Sequence, residues 1–167
     1  MRKNQGFTLI ELMVTLAVLG VLIALASPNL AQMLRDNRAA SEITDMVGIL
    51  SYARSEAVVR ARNVTVRPPA DGVNFWLVGV NGADGCDDDG ALRCFAEPES
   101  IQVSTANIPA AGITFNSQGQ LSGVGLGTAA ASLPTLTLET HDCAKYDRVL
   151  IVSPLGRVES SPKGGCS

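Results

Sequence analysis

The chain has 167 residues and a formal net charge of −3 at pH 7, from 13 basic and 16 acidic side chains. This length fits one hydrophobic segment and one compact domain. The acidic balance disfavours a protein whose main partner is nucleic acid, because phosphates repel a negative surface.

A twenty-residue apolar run, 7–26, follows a short leader that contains Arg2 and Lys3. At ~1.5 Å per helical residue the run crosses ~30 Å of hydrocarbon, and the leader cations place its N-terminus in the cytoplasm. Its only ionisable side chain is Glu11, which would cost ~2.5–3.5 kcal/mol at the centre of a bilayer. Near the end of the run, this carboxylate either snorkels to the interface, stays protonated, or meets a cation from another chain.

An ordinary secretory signal peptide is the competing interpretation of this start, with the small residues around 24–26 as its cleavage site. Two features oppose it. The run is longer than the usual ~7–15 apolar residues and includes a carboxylate, and the chain continues as a patterned helix after Pro28.

Apolar residues recur every three or four positions after Pro28, with charged residues largely between them. This spacing predicts an amphipathic helix, and Pro28 is expected to bend it because proline removes one internal hydrogen bond. One helix over 7–62 therefore has a first half suited to lipid and a second half suited to a globular partner. The predicted apolar face contains Leu30, Met33, Leu34, Ile43, Met46, Val47, Leu50, Ala53, Ala57 and Val58.

The residues beyond the helix predict strands separated by turns. Because helix and strands are segregated along the sequence, the expected fold class is α+β, with a long N-terminal helix packed on an antiparallel β-sheet. A polar loop is predicted after Val80, and an irregular, mobile loop at 123–132. The strand candidates are 63–68, 73–80, 100–104, 112–116, 135–140 and 148–153.

Four cysteines, Cys86, Cys94, Cys143 and Cys166, lie on loop-like sequence beyond the apolar run. Their even number favours disulfides in an oxidising compartment over free thiols. Zinc is disfavoured because the cysteines form no CxxC pair and His141 is the only histidine. Three connectivities are possible, and we favour Cys86 with Cys94 and Cys143 with Cys166, which closes the shortest loops.

The basic leader, the motif "GFTLIE" at 6–11 and an apolar run closed by Pro28 together resemble the start of type IV prepilins and pseudopilins. The resemblance implies that residues 1–6 are a leader peptide, which prepilin peptidase removes after Gly6. It also implies that the new amine on Phe7 is methylated and that residues 7–28 form a transmembrane and assembly helix.

The same resemblance implies that Glu11 faces the terminal amine of a neighbouring subunit, which provides the partner cation. Two opposite charges ~4 Å apart at an effective dielectric constant of ~20 attract by ~4 kcal/mol. This energy is comparable with the cost of placing the carboxylate in lipid. Glu11 is therefore interpreted as an assembly contact.

A second resemblance narrows the group. The segments "LSYARSEAVVRARNVTV", 50–66, and "VLIVSPLGRV", 149–158, are similar to the helix end, first strand and closing hairpin of the GspH/FimT group of minor pilins and pseudopilins. FimU-type minor pilins are the branch that the chain resembles best. The resemblance implies a periplasmic α+β domain at 29–167 in a structural subunit with no catalytic residues, metal or cofactor.

The implied function is that of a minor pilin in the tip complex that primes type IV pilus assembly. Its implied partners are other minor pilins and the major pilin, through the N-terminal helix, together with prepilin peptidase and the inner membrane. Before assembly the protein would be held in the inner membrane with its domain in the periplasm, and afterwards it would belong to the pilus. A pseudopilin of a type II secretion system is the alternative, which the cysteines do not separate.

A DNA-binding competence pilin is a further alternative, because some FimT-like members resemble DNA receptors. Those members carry a second arginine two positions after the arginine of a terminal Gly-Arg motif. Here Arg157 is the candidate DNA contact, but Glu159 stands where the second arginine would be and only Lys163 follows. Nucleic acid is therefore disfavoured as a partner, and a basic stripe of Arg54, Arg60, Arg62 and Arg67 is interpreted as a solvated helix face.

The acidic segment 84–89 lies beside two cysteines, and carboxylates with glycines can bind Ca²⁺. If Gly90 took the glycine position of an EF-hand loop, neither its first nor its twelfth residue would be a carboxylate. We interpret the segment as a disulfide-pinned surface loop that contacts another subunit. A hydrolase site around His141 and Ser153 is disfavoured because no nucleophile elbow is present.

Overall fold

The structure is a computed structural model that describes residues 7–70, 74–80, 82–125, 127–140 and 147–163, with residues 24–29 described by backbone alone. Gly6, Cys143 and Cys166 lie outside the described residues, so leader cleavage and the second disulfide stay predictions. Contacts divide the chain into two units, 1–37 and 38–167.

One long helix, α1, spans Leu9–Arg60 and has 52 residues, close to the predicted 7–62. It ends where Ala61 adopts a left-handed conformation with φ of 50°. The N–H of Arg62 then donates to the carbonyl of Ala57 at 3.2 Å, which satisfies one of the free carbonyls of the last turn. The helix continues through Pro28, and the bend at this residue stays a prediction.

In the first unit, every side chain over 7–23 is exposed. Leu30, Met33 and Leu34 are exposed as well, although they belong to the predicted apolar face. Within the part of the chain that the structure describes, no helix combines the length and apolar character needed to cross a membrane. The span over 7–28 stays a prediction.

Among its described residues, the second unit contains eight strands in two antiparallel four-stranded sheets. The first sheet has the order β3-β2-β1-β5, and the second has the order β4-β6-β7-β8. A short 3-10 helix, Ala130–Ser132, lies in the loop that was predicted to be irregular. The strands are β1 Val64–Arg67, β2 Phe75–Gly79, β3 Ala91–Ala96, β4 Ile101–Ala106, β5 Ile113–Phe115, β6 Thr135–Thr140, β7 Arg148–Val152 and β8 Val158–Pro162.

The predicted α+β class with a long N-terminal helix on antiparallel sheet is confirmed, but the strands form two sheets instead of one. The polar loop predicted after Val80 was partly wrong, because β3 lies within it and pairs with β2. This pairing places Phe95 opposite Trp76, and the Phe95 ring meets the Tyr52 ring of α1 edge-on with 6.3 Å between the centroids. The hairpin implied at 149–158 is present and β8 extends it.

The core lies in the second unit, where the second half of α1 and both sheets contribute to one hydrophobic cluster. Burying a leucine side chain contributes ~1.5–3 kcal/mol, so this cluster fixes the helix against the strands. Val58 departs from the prediction because half of its surface remains exposed. The buried helical residues, which lie three or four apart except for the adjacent Ile49 and Leu50, are Ala39, Ile43, Met46, Ile49, Leu50, Ala53 and Ala57.

Candidate functional site

The first turn of α1 positions Glu11 through Thr8. The N–H and the hydroxyl of Thr8 each donate to Oε2 of Glu11 at 2.9 Å, and the Glu11 N–H donates to the Thr8 hydroxyl at 3.3 Å. This is a capping box, in which residues three apart satisfy free donors at the start of a helix. The carboxylate also lies at the positive end of the helix dipole.

Sequence reasoning missed this cap, although Thr8 and Glu11 already carry its signature of threonine followed three residues later by glutamate. The cap gives Glu11 a role within its own chain. It occupies Oε2 alone, since Oε1 has no partner among the residues that the structure describes.

The surface beside Glu11 is apolar. A concavity of about 300 Å³ is lined by Phe7, Ile10, Glu11, Val14 and Thr15. Phe7 is 92% exposed. A carboxylate beside exposed apolar side chains suits a partner that is both cationic and apolar.

The disulfide between Cys86 and Cys94 is present, with 6.0 Å between the Cα atoms. It ties the acidic loop to β3. Within the loop, the Asp88 carboxylate accepts from the N–H groups of Asp84 and Gly85 at 2.7 and 2.9 Å. Across the described residues, no group of three or more potential ligands has the arrangement that a metal ion requires.

Two of the four arginines of the predicted basic stripe form ion pairs. Arg60 pairs with Glu56 at 2.5 Å, and this hydrogen bond raises the pKa of the Arg60 guanidinium above its usual range. Arg67 forms an ion pair with Asp84. Neutralised arginines of this kind offer little to a phosphate backbone.

The candidate DNA contact, Arg157, is exposed in the turn between β7 and β8. Its backbone N–H donates to the Ser153 hydroxyl at 3.1 Å. Glu159 is exposed in the same hairpin. No basic patch therefore forms around Arg157 within the described part of this hairpin.

Arg54 has a structural role that the sequence did not reveal. Its Nε donates to the carbonyl of Gly119 at 3.0 Å. A Cβ at Gly156 would lie 2.0 Å from that same carbonyl oxygen. The close approach of the two glycine turns to Arg54 joins the helix to the β7–β8 hairpin.

The sequence profile described as "Type II transport protein GspH" matches residues 42–156, which is more than half of the chain. The chain belongs to the GspH family. The profile of the prokaryotic N-terminal methylation motif matches residues 1–27, which include Phe7 and Glu11.

Two crystal forms of the type IV minor pilin FimU from Pseudomonas aeruginosa resemble this GspH-family chain. They align with TM-scores of 0.52 and 0.53 and identities of 25% and 22%. The alignments cover 74% and 83% of this chain and 90% and 92% of the FimU chains.

The minor pseudopilin EpsH from the Type 2 Secretion System of Vibrio cholerae shares the fold with a TM-score of 0.53 and 14% identity. That alignment covers 77% of this chain and 99% of EpsH. No curated protein matches the sequence at a significant level. The family and the methylation motif together place this chain among minor pilins and pseudopilins, which are structural subunits.

Proposed function

We propose that this GspH-family chain is a minor pilin of the tip complex that primes type IV pilus assembly, and that it catalyses no reaction. The observation that carries the proposal is an N-terminal methylation motif at 1–27 in front of a GspH-family domain. The choice of a pilus is supported by 25% identity to FimU, against 14% to EpsH.

The N-terminal helix provides the proposed joint between subunits. Prepilin peptidase cuts after Gly6, and the methylated amine of Phe7 then carries the positive charge. Oε1 of Glu11 accepts a hydrogen bond from the terminal amine of a neighbouring subunit, while Oε2 continues to cap its own helix. Both contacts are compatible because a carboxylate offers about four acceptor positions.

Helix packing provides the proposed driving force for assembly. Side chains over 7–23 are exposed on every side of α1, and a helix that is apolar all round requires lipid or other helices. In the inner membrane, the helix over 7–28 lies in lipid with the domain in the periplasm. In the filament it packs against the corresponding helices of other minor pilins and the major pilin.

A pseudopilin of a type II secretion system is the second candidate. The description of the matching family and the fold shared with EpsH favour it. The two candidates differ in the machinery that takes up the subunit. Deleting the pilus assembly ATPase should remove the protein from filaments if it is a pilin, whereas deleting the secretion ATPase should do so if it is a pseudopilin.

The test of the proposed joint is the substitution Glu11→Gln, with Glu11→Ala beside it. Glutamine keeps an acceptor oxygen for the Thr8 N–H but removes the charge. We expect either change to lower the amount of protein in sheared filaments by at least about tenfold, since the lost attraction is several kcal/mol. Immunoblotting of the filament fraction measures this, and mass spectrometry should give a mature N-terminus at methylated Phe7.

Normal filament entry of Glu11→Gln would mean that the carboxylate serves its own helix cap and would contradict the joint. A mature terminus at any residue other than Phe7 would contradict the whole proposal. The matched control is Glu159→Gln, which removes one exposed carboxylate from the hairpin and should leave filament entry unchanged.

A further inference from the structure

A groove of about 700 Å³ lies between the second half of α1, at residues 42–52, and β3 with the turn that follows it. Its apolar lining includes Met46, Ile49 and Phe95. Cys94 also lines it and is bonded to Cys86, so the β3 wall of the groove is covalently tethered. The groove is thus built by elements of the folded domain.

The charged lining of the groove is unbalanced, with four carboxylates and one guanidinium. The guanidinium of Arg93 is already engaged, because it lies 5.9 Å from the ring centroid of Tyr52 and 4.9 Å from that of Phe95. Burial raises the pKa of the Tyr52 phenol, and the nearby Glu56 carboxylate raises it further. Tyr52 therefore adds no negative charge at physiological pH.

Three of the four carboxylates are available to a ligand. Glu42 accepts from the N–H of Ser100 at 2.9 Å. The carboxylates of Asp45, Glu97 and Glu99 have no ion pair or hydrogen bond within the described residues. Such a concentration of negative charge along an apolar lining favours a cation with an apolar stem.

A second, smaller cavity of about 90 Å³ adjoins the groove, since Glu97 lines both. Trp76 lines this cavity and is only 2% exposed. Its indole N–H has no acceptor among the residues that the structure describes. Because an unpaired buried donor is destabilising, an acceptor oxygen from a ligand at this position would stabilise the bound state.

We propose that the groove and the adjoining cavity bind an extended, basic peptide segment of a neighbouring assembly subunit. Lysine or arginine side chains of the segment meet Asp45, Glu97 and Glu99, and a backbone carbonyl accepts the N–H of Trp76. A peptide supplies both groups. A polyamine has cations without a carbonyl, and the carboxylates repel an anionic ligand.

Only the assignment of the peptide to another assembly subunit rests on the proposed function. Binding itself is tested on the purified full-length protein in dodecyl maltoside micelles, with Trp76 as the reporter because it is the only tryptophan. The probe is a hexapeptide of alternating lysine and valine with blocked ends. We expect a saturable change in Trp76 emission with this peptide, and none with spermidine or with the matching glutamate and valine peptide.

The decisive variant is Glu97→Lys with Glu99→Lys, and the matched control is Asp87→Lys with Asp89→Lys, which makes the same charge change on the exposed loop. All four side chains are exposed, so both variants should retain the circular dichroism of the parent. We expect the groove variant to weaken peptide binding at least about tenfold and the control to change it less than about twofold. The neutral variant Glu97→Gln with Glu99→Gln should lie between them.

Equal affinities of the two lysine variants would overturn the groove as the binding site. An equal response to spermidine would overturn the peptide assignment, and a dimer of this chain that the groove variant abolishes would identify a second copy as the occupant. The two proposals fail separately. If filament entry depends on Glu11 but peptide binding does not depend on Glu97 and Glu99, only the groove proposal is wrong. If peptide binding depends on Glu97 and Glu99 but filament entry does not depend on Glu11, only the proposed joint at Glu11 is wrong.

Discussion

The two halves of α1 differ in what surrounds them. Over 7–23, every described side chain of the helix is exposed, including Leu19 at 52%. From Ala39 to Ala57 the same helix buries a stripe of residues in the core, where Leu50 is 1% exposed. One continuous helix thus contains an apolar segment whose described side chains are exposed and a segment that buries a stripe of residues in the core.

This difference separates two roles that apolar residues play. In the second half, apolar residues hold the domain together, and their contacts lie within the chain. In the first half, the proposed contacts come from lipid or from other subunits, because water does not favour an exposed apolar helix. Substitutions in the first half should therefore affect assembly, whereas substitutions in the second half should affect folding.

The largest expected effect comes from truncating the packed half. Leu50→Ala should lower the free energy of unfolding by about 2–5 kcal/mol, because it opens a cavity in a core that cannot fully collapse. Leu19→Ala makes the same chemical change on the exposed half and should alter that free energy by less than about 0.5 kcal/mol. Urea unfolding followed by Trp76 fluorescence measures both, and equal losses would abolish the distinction between the halves.

The next effect concerns the turn that meets the packed half at Arg54. Gly156 has φ of 73°, and an added Cβ would lie 2.0 Å from the carbonyl oxygen of Gly119. Gly156→Ala should therefore destabilise the domain by about 2–4 kcal/mol, from left-handed strain and steric overlap together.

Gly123→Ala is the matched control for that turn. Gly123 has φ of 80°, but an added Cβ would meet nothing within 4 Å. Only the left-handed strain of ~1–2 kcal/mol should appear in urea unfolding. If the two alanine variants lose the same stability, backbone strain alone explains both, and the contact between the glycine turns contributes nothing.

A smaller effect is expected at the edge of the first sheet. Replacing Cys86 and Cys94 together by serine removes a disulfide with a sequence separation of 8 residues. A short loop gains little from cross-linking, so the loss should be about 2 kcal/mol. The shift of the urea midpoint under non-reducing conditions measures it, and a loss as large as that of Leu50→Ala would place this edge in the core of the domain.

Much of the helix could be predicted from the sequence because its signal is local. The spacing of Ile43, Met46, Leu50, Ala53 and Ala57 repeats the helical period, and all five are buried. The motif "GFTLIE" at 6–11 was equally recognisable in the sequence. The spacing did not show where the core ends, since Leu30, Met33 and Leu34 continue the pattern beyond the packed residues.

The pairing of strands could not be predicted in the same way because it depends on distant contacts. β3 has no fully buried residue, and its position is set by pairing with β2 and by the bond between Cys86 and Cys94. β8 carries mostly exposed residues, so alternation does not mark it. The groove and the Arg54 contact likewise join residues far apart in the sequence, which no local pattern encodes.

The smallest effect tests the exposed half at its first turn. Thr8→Ala removes both hydroxyl hydrogen bonds with Glu11 but keeps the Thr8 N–H bond to Oε2. Losing a threonine cap costs about 1 kcal/mol, which should speed amide exchange over 9–12 roughly fivefold. Thr8→Ser, which keeps the hydroxyl, should exchange as the parent does, and urea unfolding of the domain should not change in either variant.

Since the alanine variant retains the Glu11 charge, it should enter filaments far better than Glu11→Gln. Equal defects in the two variants would mean that helix capping, and not an intermolecular charge pair, governs the exposed half.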